Sequence, residues 1–173
     1  MASSSSSKGN FSVADLAYAA GFFDGEGAVS IVPVRNSGGR RSRNYKCVVL
    51  ITQTDRPILE QVAAQFCGAI YSNNFKARPA TWRPGYQLHI GGEDARTFLL
   101  QIRPYLRLKA ALTDNALAFF ELKRGLGGKR TPPDVMARMA ELHAIHHALI
   151  TRGRIDPVEV PVLPASPQLE MLA

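Results

Sequence analysis

Nine consecutive residues, Ala19-Ala-Gly-Phe-Phe-Asp-Gly-Glu-Gly27, constrain this chain more than any other part of it. A helix is predicted to begin at Ser12 as N-cap, with Asp15 three residues on, close to a capping box. Its apolar residues run through Leu16, Tyr18 and Phe22 and stop at Gly25-Glu26-Gly27, where glycine both ends a helix and admits unusual backbone angles. On that helix Ala17 and Gly21 lie one turn apart on one face, with Ala20 and Asp24 alongside. Small side chains so placed let a second helix approach backbone to backbone. Ala17, Ala20, Gly21 and Asp24 are therefore expected at a two-fold helix–helix interface. Glu26, between two glycines just past the helix, would hold a carboxylate at the bottom of the helix pair, with neighbouring backbone free to supply a carbonyl.

Periodicity and turn residues organise the remainder of the chain. Strands are predicted over Ala28 to Arg35 and Tyr45 to Thr54, joined by the basic loop Asn36 to Arg43. A helix from Arg56 to Phe66 tolerates Pro57 in its first turn, and Gly68 stops it. Strands around Ala69 to Phe75 and Tyr86 to Ile90 flank a long basic connection. Helices are predicted over Glu93 to Ile102, Leu108 to Arg124 and Pro133 to Arg152, with Pro104 breaking the first of them. The order αββαββα, with extra C-terminal helices, makes an α+β domain with one antiparallel sheet. A chain of 173 residues with 46% hydrophobic content buries one real core. The expected division is a serine-rich disordered leader over 1–10, one domain over 11–153, and an irregular proline-containing tail over 154–173.

The stretch Ala19 to Gly27, in its form ending Gly-Phe-x-Asp-Gly-Glu-Gly, resembles the LAGLIDADG signature of homing endonucleases. The resemblance covers about Ala14 to Arg124. It departs in having Ala19 where the signature begins with Leu, and Glu rather than Asp as the acid. It implies a curved antiparallel sheet with its helices on one face and its concave face over the major groove of DNA. It implies phosphodiester hydrolysis with divalent metal, Mg²⁺ held at Glu26 and the Gly25 carbonyl, with Mn²⁺ or Ca²⁺ able to occupy the same site. Two-fold symmetry would bring a second Glu26 close to the first, and two such charges call for cations. The family usually has a polar residue ending the second strand and a Lys after a Pro-aromatic-Leu stretch. Gln53 in Val49-Leu-Ile-Thr-Gln-Thr54 and Lys109 in Arg103-Pro-Tyr-Leu-Arg-Leu-Lys109 match them. By resemblance Gln53 positions a metal-bound or nucleophilic water, and Lys109 offsets charge building on the scissile phosphate.

Charge agrees with a polyanionic partner. There are 21 basic against 14 acidic residues, a formal net charge of +7, and each phosphate neutralised releases a condensed counterion. Arg35, Arg40, Arg41 and Arg43 crowd the first hairpin, and Lys76, Arg78 and Arg83 the second, with Phe75 and Trp82 interleaved. Alternation assigns Gln87 and His89 to the face opposite Tyr86, Leu88 and Ile90, and puts Asn44 and Lys46 together in the second strand. The full set expected to meet DNA adds Ser30, Asn36 and Asn73. With one motif per chain, the implied assembly is a homodimer on a roughly palindromic duplex of about 20 base pairs, one half-site per protomer. Intron RNA is a further partner that the resemblance admits. An RNA maturase or a DNA-binding regulator on the same scaffold are the alternatives, and the intact Glu26 weighs against both. Cys47 and Cys67 lie in apolar stretches and suggest no disulfide, and no apolar run is long enough to span a membrane, so an intracellular, reducing compartment is expected, organellar or prokaryotic. His143, His146 and His147 lack a neighbouring acidic ligand and read as a partly exposed structural face.

Overall fold

A computed structural model describes residues 11–35, 41–73, 83–124, 126 and 131–152. The elements in order are α1 (Val13–Glu26), β1 (Gly27–Arg35), β2 (Arg41–Gln53), α2 (Arg56–Phe66), β3 (Ala69–Asn73), β4 (Gly85–Gly91), α3 (Gly92–Ile102), a 3-10 turn (Arg103–Tyr105), α4 (Ala110–Lys123) and α5 (Pro133–Arg152). The αββαββα order is as expected. The capping box forms: Ser12 Oγ accepts from Asp15 N–H at 3.2 Å and the Asp15 carboxylate accepts from Ser12 N–H at 3.1 Å. Two elements start more than one residue from where the sequence places them. β2 starts at Arg41 rather than Tyr45, because pairing with β1 carries the ladder through polar residues that hydrophobic alternation does not mark. α4 starts at Ala110 rather than Leu108, because the 3-10 turn and the residues after it face α1 instead of continuing a helix.

The four strands form one antiparallel sheet in the order β1-β2-β4-β3. β1 lies on the edge, where Pro33 withholds no ladder bond from a second neighbour, and the register shifts between Pro33 and Arg35. Alternation divides the sheet cleanly. Val29, Ile31, Cys47, Val49, Ile51, Leu88 and Ile90 are buried beneath helix residues that include Phe23, Leu59, Phe98, Leu99 and Phe119. Burial pushes the Cys47 thiol up to about 12, which leaves it an inert small hydrophobe. Residues of the other parity form the open face.

Two close contacts hold the fold in register. At the join of α1 and β1, a Cβ on Gly27 would fall 2.0 Å from Phe23 Cδ2. Phe23 is fully buried and meets Phe98 edge-on at 5.4 Å, so it has nowhere to go. Two residues further along β1, α5 is pinned by His146, only 2% exposed. Its Nε2–H donates to the Val29 carbonyl at 2.8 Å, which leaves Nδ1 to accept from Asn115 Nδ2–H at 3.3 Å. Asn115 also donates to the Leu142 carbonyl at 2.9 Å. A neutral imidazole satisfies this arrangement, whereas a second proton would set two donors against each other. Accordingly burial pushes His146 down from 6.5, the Val29 bond offsets this in part, and His143 adds to it.

Gly27→Ala is expected to destabilise the chain by about 1–3 kcal/mol through overpacking against Phe23, read as a lower urea midpoint. An unchanged midpoint would mean the α1–β1 join is looser than described. For His146 the folded value lies below the unfolded one, so its contribution is complete above 6.5. It is lost as pH falls toward the folded value, by up to about 1.4 kcal/mol per pH unit. Urea unfolding followed from pH 8 to pH 5 should therefore show a steeper acid loss for the wild type than for His146→Gln. Parallel curves would rule His146 out as the titrating group.

Candidate active site and nucleic-acid face

The C-terminal end of α1 collects the three residues expected to act in catalysis. Glu26 is the last residue of the helix and is exposed. It directly precedes the first β1–β2 pair, Gly27 with Ile51, and Gln53 stands two residues beyond Ile51 at the end of β2. Lys109, the N-cap of α4, arrives from the other side. Its ammonium donates to the Asp24 carbonyl and sits 5.9 Å over the Phe23 ring. Gln53 is half-buried, and its Oε1 accepts from Thr54 N–H at 2.8 Å, so its amide N–H₂ stays available. Glu26 takes part in none of the ion pairs of the described residues.

Asp24 does something the sequence did not announce. Its carboxylate accepts from the backbone N–H groups of Arg107, Leu108 and Lys109 at 2.8, 3.1 and 2.9 Å. Burial works to raise this carboxyl, but the three amides and the Lys109 charge outweigh it and hold Asp24 below the usual carboxylate range. Nothing in a helical pattern shows that a carboxylate will meet amides so distant along the chain.

Of the residues expected to pack against a second helix, Ala17 and Gly21 are exposed and Asp24 is half-buried. Ala20 is a correction. It is fully buried in the chain's own core, because α1 turns Ala19, Ala20 and Phe23 inward together. Ala17, Gly21 and Asp24 line a groove of about 560 Å³ with Pro104, Tyr105, Leu106 and Arg107. A Cβ on Gly21 would meet nothing within 4 Å.

The open sheet face carries Ser30 and Val32 on β1, Asn44, Lys46, Val48, Leu50 and Thr52 on β2, Gln87 and His89 on β4, and Tyr71 on β3. Gln87 and His89 thus lie opposite Leu88 and Ile90, as alternation assigned them, and Ser30, Asn44 and Lys46 share their face. Gln87 Oε1 meets His89 Nε2 at 2.8 Å, and Gln87 Nε2–H donates to Thr52 Oγ1 at 3.1 Å. Tyr71 stands edge-on to His89 at 4.9 Å. Thr52 and Tyr71 were not singled out from sequence; parity with Leu50 marks Thr52, whereas Tyr71 is placed only by its pairing with Gln87. Burial, with the Lys46 charge adding to it, holds His89 below its ordinary value and favours the neutral ring at pH 7. Arg35, Arg41, Arg43 and Asn73 hold strand positions in the sheet's outer parts, and Arg83 is exposed just before β4. Asn36, Arg40, Phe75, Lys76, Arg78 and Trp82 lie outside the described residues, as do the leader and the tail. The histidines of α5 do not converge: His146 is interior, His143 packs on Tyr45, and His147 is exposed.

Among the described residues no group of three His, Cys, Asp or Glu could enclose a metal ion. No helix of the described residues is long and apolar enough to cross a membrane.

No protein-family model and no curated protein matches the sequence. Solved structures do match. The homing endonuclease I-CvuI, in complex with its target in the presence of Ca, superposes with a TM-score of 0.60 at 20% identity, over 86% of this chain and 86% of that one. The homing endonuclease I-TnaI gives 0.55 at 18% identity, over 79% and 93%. The LAGLIDADG homing endonuclease I-GzeII in complex with its DNA target gives 0.59 at 15% identity, over 87% of this chain but 53% of that longer one. Identities this low speak for architecture alone. The chain has the fold of the LAGLIDADG homing endonucleases.

Proposed function

We propose that this protein is a site-specific DNA endonuclease that hydrolyses phosphodiesters in a long, roughly palindromic duplex, as a homodimer with divalent metal. The observation that carries the reading is that Glu26 ends α1 while Lys109 donates to Asp24 in that helix's last turn and Gln53 ends the strand paired with Gly27. A structural acid at a helix end would not need a glutamine and a lysine brought to it.

The donor set fits a hard cation of the Mg²⁺ type. Such an ion takes one or two carboxylates and fills its remaining positions with phosphate oxygens and waters. One exposed carboxylate per chain, with no third acidic or histidine ligand among the described residues, is half of such a site. A bound divalent ion supplies a nucleophilic water at neutral pH and stabilises the leaving oxygen. Around it the chain's own groups have separate tasks. Glu26 and the Gly25 carbonyl would hold the ion, the Gln53 amide would orient the attacking water, and the Lys109 ammonium would donate to the phosphate oxygen that gains charge. The open face lies in the major groove, where Asn44, Lys46, Gln87 and His89 supply donors and acceptors, and Val48 and Leu50 suit thymine methyl groups.

The second copy is argued from Gly21. A glycine inside a helix costs about 1 kcal/mol against alanine, and none of the described residues comes near enough to require it. A partner helix packed along Ala17 and Gly21 would.

Two experiments test this reading. Protein with Mg²⁺ is incubated with genomic DNA and the new ends are sequenced, in parallel with Glu26→Gln. Recurrent ends at one pseudo-palindromic locus, absent with the variant although it still binds that locus, are expected. Salt-sensitive binding of DNA or RNA without any new ends would point instead to a regulator or a maturase. Separately, Gly21→Leu should sediment as a folded monomer where the wild type is a dimer, since the chain has room for the side chain. A dimer that survives the change would place the interface elsewhere.

A further inference from the structure

The segment from Leu106 to Lys109 has no regular structure, yet it carries the lysine assigned to the proposed reaction. Leu106 is buried and ties the segment to the core, while Leu108 is 79% exposed. On one side, Arg103 and Asp114 form a paired bridge, with Nη2 to Oδ2 at 2.6 Å, that spans the segment from the 3-10 turn to α4. On the other side stands α1. The N-terminus of α4 has no side-chain cap of its own and no acidic residue in its first turn. Three consecutive amides just ahead of it instead converge on one carboxylate of another helix, an arrangement in which successive N–H groups form an anion-binding nest.

We propose that Asp24 is the positioning residue for Lys109. Its carboxylate clamps the amides of Arg107, Leu108 and Lys109, and its carbonyl receives the Lys109 ammonium, so both ends of the lysine are referred to the helix that presents Glu26 two residues later. The inference rests on the proposed reaction for its purpose, though not for its geometry. Clamping backbone and side chain from one residue leaves the ammonium little freedom relative to Glu26. Asparagine cannot reproduce the clamp, because its amide N–H₂ would confront backbone donors where a carboxylate oxygen now accepts. Glutamate keeps the charge but overshoots by one methylene.

The first arm needs no DNA. Amide exchange in Asp24→Asn should accelerate about tenfold or more at Arg107, Leu108 and Lys109, as expected for loss of charge-assisted bonds. Protection in β2 and β4 should be unchanged. The second arm uses the duplex recovered by end mapping. Single-turnover cleavage by Asp24→Asn should slow by about ten- to a hundredfold, the scale of a small misplacement, at unaltered affinity for the duplex. The double variant Asp24→Asn with Lys109→Ala should be no slower than Lys109→Ala alone. Should Asp24→Asn fail to fold, Asp24→Glu carries the same comparison. Unchanged exchange at 107–109, or a slowing that adds in full to that of Lys109→Ala, would overturn the proposal. If the wild type cuts no DNA, the reaction is wrong, and the exchange arm alone then decides whether Asp24 holds the lysine's segment.

Discussion

Phe23 is the side chain on which the site is built. It is fully buried, it meets Phe98 edge-on, and it occupies the space that any side chain at position 27 would need. Glycine therefore follows Glu26, the helix stops there, and β1 leaves at a fixed place beside the end of β2. The same ring lies beneath the Lys109 ammonium, a geometry that favours a cation over an aromatic face. A packing requirement thus sets where an acid, an amide and an ammonium can stand relative to one another.

The sheet has to satisfy two unlike environments, and strand alternation lets it do so. One face is spent wholly on the core, where Val49, Leu88 and Ile90 are fully buried. The described helices pack on that side, and the other face carries half-buried and exposed residues. Its mixture of Lys46, Gln87 and His89 with Val48 and Leu50 offers apolar and hydrogen-bonding groups together, which the proposed reading of base edges calls for. α5 extends the helical layer without touching that face. Its docking depends on a buried neutral histidine, which ties the helix to β1 through a backbone carbonyl and to α4 through Asn115.

The element order, the capping box at Ser12 and the two faces of β4 were legible in the sequence, because each rests on local rules. Helix and strand periods, N-cap chemistry and glycine stops act over a few residues, and their signals survive in the bare chain. The same rules misled at Ala20. Its small size and helical offset put it beside Ala17 and Gly21, but the azimuth at which α1 meets the core turned it inward. Helical periodicity also carried α4 back to Leu108, where contacts with α1 had claimed the amides.

What the sequence by itself determined is the inventory: an α+β chain with a glycine-framed acid at the end of its first helix, and basic hairpins able to attract a polyanion. What only the tertiary structure decided is how that inventory is held. Asp24 binding the amides before α4, His146 locking α5 onto β1, and the meeting of three chemical groups at one helix end all join residues far apart along the chain. Such contacts are chosen by how the layers pack, since a carboxylate or an imidazole takes whichever partner folding brings within hydrogen-bonding reach, and no local pattern records which one that will be.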